Sequence, residues 1–124
     1  MPLILSISYN KALLQTRELL LSSEGFEVES VVGVSAAIRA CEKRKFNLVI
    51  MGHSIPPEDK TTIVRQLRTV CRTRILALHR PYESPLKTAD YNLDSGDPQR
   101  FLNYVKEITT RQKGPAPSEH EHNA

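Results

Sequence analysis

The chain has 124 residues, of which 40% are hydrophobic and 25% are charged, a composition typical of one globular domain with a single core. Its formal net charge of +3 is too small to indicate a nucleic-acid-binding protein. No apolar run exceeds four residues, so no segment is long enough to span a bilayer. The N-terminus also lacks the features of a signal peptide. We therefore expect a cytoplasmic protein that contacts neither membrane nor nucleic acid.

Short apolar segments rich in β-branched residues alternate with segments of helical spacing. The first helix is predicted to begin after Asn10, a favourable N-cap, and to stop at Gly25. The second and third helices show apolar residues at i, i+4 and i+7, and the third opens at the proline pair 56–57. Asp97 caps the last helix, with Pro98 in its first turn. The predicted strands cover residues 3–8, 26–32, 47–51, 74–78 and 90–93.

Strands that alternate with helices predict an α/β protein with a parallel sheet between two helical layers. For five strands the commonest arrangement is the flavodoxin-like order 2-1-3-4-5. The connection HRPYESPLKTA before the fifth strand contains two prolines and little periodicity, so a fourth helix would be short or irregular. We expect the domain to cover residues 1–112, and residues 113–124 to form a disordered tail.

The two cysteines, Cys41 and Cys71, lie thirty residues apart at apolar positions of predicted helices. They form no CxxC motif and no Cys/His spacing suited to zinc. We therefore expect buried, reduced thiols and no metal site.

Polar residues follow four of the five predicted strands. In the order 2-1-3-4-5 the carboxyl ends of these strands meet at one edge of the sheet, where α/β proteins usually bind their ligands. The residues expected there are Ser8, Tyr9, Gly52, His53, His79 and Asp94.

Three stretches of the chain carry a resemblance to a known family. LLLSSEGFEVESV is similar to a first helix that leaves through glycine into the second strand. FNLVIMGHSIPP is similar to the motif xDLVILDxxMP, and ADYNLDSGDPQRFLNYV to ADDYLxKPFDPEELLxxV. In their order and spacing these stretches resemble a response-regulator receiver (CheY-like) domain from residue 3 to about residue 110.

Each group that the family uses for phosphoryl transfer is replaced in this chain. Ser8 and Tyr9 stand where the resemblance implies an acidic pair that binds Mg²⁺, and Gly52 stands where it implies the phosphoacceptor aspartate. His79 replaces a hydroxyl residue, and Asp94 replaces a lysine. A hard cation needs carboxylate oxygens, and a transferring phosphoryl group needs positive charge around it. The resemblance therefore implies a degenerate receiver, or pseudo-receiver, without phosphoacceptor, catalytic residue, metal or cofactor.

We predict a stand-alone, phosphorylation-independent receiver in bacterial two-component phosphorelay signalling, which is not an enzyme and acts by protein–protein interaction. The resemblance implies a partner surface on the fourth-helix, fifth-strand and fifth-helix face, here including Tyr91, Arg100 and Tyr104. The sequence identifies neither the partner nor the pathway, and it leaves open a weak homodimer.

A second interpretation treats the strand-end residues as a ligand site. Ser8, His53 and His79 could bind a small ligand such as an anion, helped by the free amides at helix N-termini. A serine hydrolase is less favoured because GxSxG is missing, and a metal held by His53, His79 and Asp94 is less favoured because strand-end histidines usually serve as hydrogen-bonding loop residues.

Overall fold

The computed structural model describes residues 2–111. Its strands are β1 (Leu3–Ser8), β2 (Glu27–Val32), β3 (Leu48–Met51), β4 (Ile75–His79) and β5 (Tyr91–Asp94), and its helices are α1 (Lys11–Ser23), α2 (Val34–Lys43), α3 (Pro57–Val70) and α4 (Pro98–Arg111). The sheet is entirely parallel, with the order β2-β1-β3-β4-β5. This confirms the predicted flavodoxin-like fold. The predicted tail at 113–124 lies outside the described residues, and no helix within 2–111 is long and apolar enough to cross a membrane.

Local sequence signals set the helix ends. The side chain of Asn10 accepts a hydrogen bond of 3.1 Å from the amide of Leu13 and so caps α1. Gly25, just beyond α1, has φ +90°, a left-handed conformation that favours glycine and turns the chain into β2. Asp97 caps α4 by accepting a 3.0 Å hydrogen bond from the amide of Gln99.

Two apolar clusters hold the helices on opposite faces of the sheet, because successive side chains of a strand point to opposite sides. Leu48 and Ile50 of β3 pack with buried residues of α1 and α4, such as Leu21 and Val105. Their neighbours in β3 face the other way, toward α2 and α3. The result is a three-layer sandwich in which α1 and α4 cover one face of the sheet and α2 and α3 cover the other.

The connection between β4 and β5 contains turns and no helix. We expected any helix here to be short or irregular, and the structure shows a loop with turns. Pro81 and Pro85 disfavour helical hydrogen bonding, and the Asn92 side chain satisfies the backbone of Leu86 instead. The Oδ1 of Asn92 accepts a 2.7 Å hydrogen bond from the amide of Leu86, and its Nδ2 donates one of 2.9 Å to the carbonyl of the same residue. The loop is thereby tied to β5.

Candidate functional site

The carboxyl-terminal edge of the sheet collects the residues predicted from the sequence. The strands are parallel and each helix follows a strand, so the N-termini of all four helices also lie at this edge. Helix N-termini carry unpaired amides and a partial positive charge. The electrostatics of the edge therefore depend on which charged side chains face these termini.

After β1, the two residues at the expected acidic positions are both engaged in hydrogen bonds. Ser8 is fully buried; its Oγ lies 2.9 Å from the Oγ of Ser54 and accepts a 3.0 Å hydrogen bond from the amide of Asn10. Tyr9 is 42% exposed, and its hydroxyl donates a 3.0 Å hydrogen bond to Asp59. Partial burial and the Asp59 carboxylate raise the pKa of Tyr9. Neither side chain offers an anionic ligand for Mg²⁺.

After β3, the space that a side chain of residue 52 would occupy is filled by Arg17. A Cβ added at Gly52 would lie 3.2 Å from Nη1 and 3.4 Å from Nη2 of Arg17. The amide of Gly52 donates a 2.9 Å hydrogen bond to the carbonyl of Ile7, which fixes the strand end against β1. The position expected for a phosphoacceptor carboxylate thus holds a guanidinium, supplied by α1.

Arg17 is a buried cation with an unsatisfied donor. The residue is only 7% exposed, and its Nη1 has no hydrogen-bond partner within residues 2–111. None of the ion pairs formed within that range includes it. Burial lowers the pKa of Arg17, yet a guanidinium stays protonated near neutral pH. A buried charge without a counterion is costly.

His53, next to Gly52, lies in the same positive environment. Its Nδ1 is buried and has no hydrogen-bond partner in the described part of the chain. Burial lowers the pKa of His53, and the charges of Arg17, Arg80 and Lys60 lower it further. The folded protein therefore favours the neutral imidazole.

Lys60 and Arg80 add two more cations on the α3 side of the edge. Lys60 is 3% exposed, and its Nζ donates a 2.6 Å hydrogen bond to the carbonyl of Leu78. Its burial lowers the pKa of the ammonium group. Arg80 donates a 3.3 Å hydrogen bond to the carbonyl of His53 and pairs with Glu83 at 3.7 Å.

The two strand-end histidines, His53 and His79, lie in different surroundings. The Nδ1 of His79 lies 2.8 Å from the carbonyl oxygen of Arg80. His79 also lines a groove of about 470 Å³ between α3 and the β4–β5 loop, to which His53 does not contribute. The Oδ1 of Asp94 accepts a 2.9 Å hydrogen bond from the amide of Gly96, within its own turn. Of the three residues of the small-ligand interpretation, Ser8 and His79 contact different partners, and the Nδ1 of His53 has no hydrogen-bond partner in the described chain.

The less favoured chemistries find little support in this geometry. Within the described range, no group of three or more His, Cys, Asp and Glu side chains could hold a metal ion. The hydroxyl groups of Ser8 and Ser54 are hydrogen-bonded to each other, whereas a hydrolase nucleophile requires a histidine base within hydrogen-bonding reach.

The predicted partner surface contains β5, α4 and a loop in place of the expected helix. Tyr91 is 5% exposed, and its ring packs edge-to-face on that of Tyr104 at 6.1 Å between centroids. Arg100, on the first turns of α4, is exposed. The helix that the resemblance implies between β4 and β5 is absent from the described residues, and the β4–β5 loop stands in its place on the predicted surface.

Sequence reasoning missed Arg17 and Lys60, the two buried cations of the site. Arg17 stands at an apolar position of α1, because Leu14, Arg17 and Leu21 share the spacing of one buried face. A charged residue in such a stripe is the signal that could have identified it. Lys60 carries the same signal in α3, where Ile63, Val64 and Leu67 are its buried neighbours.

By sequence alone, no family model and no curated protein matches this chain significantly. By structure, it is similar to a two-component response regulator from Clostridium difficile, with a TM-score of 0.80 over 92% of this chain and 100% of that one, at 20% identity. The fold is that of a receiver domain. At such identities the likeness establishes the fold alone.

Two further structures of similar fold contain magnesium. One is the receiver domain of a sensor histidine kinase from Pseudomonas aeruginosa PAO1, with a magnesium ion coordinated in its active-site cleft; the TM-score is 0.76 at 19% identity, over 88% of this chain and 98% of that one. The other is the response regulator TrrA from Thermotoga maritima in complex with Mg²⁺ and BeF; the TM-score is 0.73 at 20% identity, over 87% and 99%.

Proposed function

We propose that this chain is a phosphorylation-independent receiver module of two-component signalling that acts through protein–protein contact. The observation that carries the proposal is the position of Arg17. Its Nη1 lies 3.2 Å from where a Cβ of residue 52 would stand, so a cation fills the place from which a receiver would accept a phosphoryl group. The receiver fold supplies the link to two-component signalling.

In this chain the acceptor carboxylate is missing and, in addition, the Arg17 guanidinium occupies the space beside residue 52. Burial and the charges of Arg17, Arg80 and Lys60 lower the pKa of His53, and only the carboxylate of Glu83 opposes them. Among the described residues no cluster of three or more carboxylate, histidine or cysteine side chains could bind a divalent cation at this edge, and these cations would repel it. Without Mg²⁺, phosphoryl transfer loses the metal that neutralises its developing charge.

Acetyl phosphate with Mg²⁺ tests the phosphorylation part of the proposal. We expect the intact mass of the chain to stay unchanged, whereas a receiver with an acceptor aspartate, treated in parallel, should gain one phosphoryl group of about 80 Da. A stoichiometric, acid-stable and base-labile adduct on this chain would overturn the proposal.

The partner surface can be tested with a matched pair of charge reversals. Arg100 lies on α4 at the proposed surface, and Arg65 lies on α3, on the other face of the sheet; both are exposed. We expect Arg100→Glu to abolish the binding of a captured signalling partner while Arg65→Glu retains it. Equal binding by both variants would place the contact elsewhere.

Anion binding is a second candidate function, favoured by two orphaned donors. The Nη1 of Arg17 and the Nδ1 of His53 are buried without hydrogen-bond partners in the described chain. The Arg17 guanidinium lies against Gly52, the residue next to His53, and its charge lowers the pKa of His53. An oxyanion would satisfy both donors and neutralise the buried charge.

Inorganic phosphate is a suitable probe for this second candidate. If the site binds an oxyanion, the melting temperature should rise with phosphate concentration and saturate, at constant ionic strength. Arg17→Met should abolish this rise and Arg65→Met should keep it. The same phosphate response in the wild-type chain and in Arg17→Met would eliminate the anion site.

A further inference from the structure

The two cysteines, distant in sequence, meet at the opposite edge of the sheet. Cys41 is buried in α2, and Cys71 is the C-cap residue of α3, where its amide donates a hydrogen bond to the carbonyl of Leu67. Their Sγ atoms are 3.3 Å apart, and both thiols are free. Two sulfur atoms at van der Waals distance need only a small approach to form a covalent bond.

The pair opens onto a basic groove. This groove of about 940 Å³ runs between the α2–β3 and α3–β4 connections, and both Cys41 and Cys71 line it. Six basic and two acidic side chains surround it: Lys43, Arg44, Lys45, Arg68, Arg72 and Arg74 against Glu42 and Asp90. Ion pairs engage Arg44 with glutamates of β2 and Arg68 with Asp90. The remaining excess of positive charge favours a small anionic reactant.

The two thiols differ in access. Cys41 is 7% exposed, and its burial, reinforced by the neighbouring Cys71, raises its pKa to about 12. Cys71 is the more exposed of the two. Thiol–disulfide exchange begins with a thiolate that can reach the attacked sulfur, so Cys71 is the attacking residue and Cys41 is placed to complete the reaction.

We propose that Cys41 and Cys71 form a reversible thiol–disulfide site whose reactant is a small disulfide that carries carboxylate groups. The Cys71 thiolate attacks one sulfur of the reactant, which breaks the reactant's S–S bond and releases one thiolate. The sulfur of Cys41 then attacks Cys71, forms the protein disulfide and releases the second thiolate. Two protein thiol protons pass to the two released thiols, so two protein thiols are oxidised and one small disulfide is reduced.

The product would be a covalent link between α2 and α3, the two helices that cover the same face of the sheet. In the reduced chain, apolar packing and the contact between the two sulfur atoms join the helices. In the oxidised chain, a covalent bond would keep them together. This modification acts at the amino-terminal edge of the strands, away from Arg17 and Gly52, and it does not depend on whether the chain is phosphorylated.

Oxidised glutathione is the probe. After incubation, the intact wild-type chain should remain monomeric, should lose both titratable thiols under denaturing conditions, and should become about 2 Da lighter. Cys41→Ser should stop at one mixed disulfide per chain on Cys71, and Cys71→Ser should react at least tenfold more slowly than Cys41→Ser. The wild-type measurement decides the matter even if a serine variant fails to fold.

A separate experiment tests whether the basic groove favours an anionic disulfide. The quantity to measure is the rate of reaction with oxidised glutathione divided by the rate with the neutral disulfide of mercaptoethanol. This rate ratio should be larger for the protein than for a free thiol. Added salt should bring the ratio for the protein closer to that for the free thiol. Retention of both thiols, formation of intermolecular dimers, or equal reactivity of the two serine variants would overturn the thiol–disulfide site. A rate ratio for the protein equal to that for the free thiol would overturn the choice of an anionic reactant.

Discussion

The guanidinium of Arg17 lies over the backbone of Gly52, with Nη1 3.2 Å from the place where a Cβ would stand. α1 thus delivers a positive charge to the strand end where a receiver domain presents a carboxylate. Gly52 has no left-handed φ that would require glycine. The absence of a side chain there matters because it leaves room for the guanidinium.

Removal of the Arg17 charge should stabilise the protein in a buffer of weakly binding anions. Methionine has similar length and can pack between Leu14 and Leu21, which are buried on the same face of α1. Because Arg17 is only 7% exposed and its Nη1 is unsatisfied, we expect Arg17→Met to raise the free energy of unfolding by about 1–3 kcal/mol. Urea unfolding measures the change. The exposed control Arg65→Met should stay within about 0.5 kcal/mol of wild type, and a loss of stability in Arg17→Met would show that the charge is paired.

A carboxylate at residue 52 should pair with Arg17. We expect Gly52→Asp to be more stable than Gly52→Ala by about 1–2 kcal/mol at neutral pH, because only the aspartate can neutralise the guanidinium. Pairing would hold the pKa of the aspartate below its unfolded value of about 4, so the advantage should disappear as the pH falls through the folded pKa. Urea unfolding at several pH values measures it. An alanine variant as stable as the aspartate variant would contradict the proximity of Arg17.

His53 should make stability depend on pH in a defined direction. Its pKa is lowered in the folded state, first by burial and then by Arg17, so the unfolded chain binds the proton more readily. The stability due to neutral His53 is therefore complete above the unfolded pKa of about 6.5 and is lost as the pH falls through the folded pKa. Thermal unfolding between neutral and acidic pH should show a steeper loss for wild type than for His53→Gln.

The pKa of His53 should also respond to the removal of the Arg17 charge. Because the charge of Arg17 lowers the pKa of His53, Arg17→Met should raise that pKa, as measured by an NMR titration of the His53 ring. Arg65→Met, on a distant exposed position of α3, should leave it unchanged. A His53 pKa that is insensitive to Arg17→Met would mean that the two groups are not close.

The Asn92 side chain should hold the β4–β5 loop. It makes two hydrogen bonds to the backbone of Leu86, at 2.7 and 2.9 Å. We expect Asn92→Ala to cost about 1–3 kcal/mol of stability and to accelerate hydrogen exchange at the Leu86 amide. Asn103→Ala, at an exposed position of α4, is the matched control and should change stability by less than about 0.5 kcal/mol. Protection of Leu86 that survives Asn92→Ala would mean that other contacts hold the loop.

The fold was predictable because its signals are local. Asn10 and Asp97 mark helix starts through hydrogen bonds of their side chains, Gly25 marks a helix end through its left-handed backbone, and alternating periods separate strands from helices. The β4–β5 loop was harder, since Pro81 and Pro85 disfavour a helix without specifying what replaces it. The loop is held by Asn92, whose side chain forms hydrogen bonds with the backbone of Leu86, six residues earlier in the sequence.

The site was less predictable because its decisive contacts are tertiary. Sequence placed Gly52 and His53 at the strand end, but the guanidinium over Gly52 comes from α1, far earlier in the chain. Cys41 and Cys71 likewise form no sequence motif, and only the packing of α2 against α3 brings their sulfurs to 3.3 Å. Spacing reveals which side chains are buried in one helix, and it does not reveal which helices bring their side chains together.

The central claim is that the Arg17 guanidinium beside Gly52 prevents phosphoryl chemistry. NMR titration with Mg²⁺ and beryllium fluoride, the ligand combination of the Thermotoga receiver fold, tests it most directly. The predicted result is no saturable shift of the Gly52 and Ser8 amides at concentrations that saturate a receiver with an acceptor aspartate. Saturable shifts of these amides that require both Mg²⁺ and beryllium fluoride would contradict it, because they would show that the site still binds a phosphoryl mimic through a metal ion.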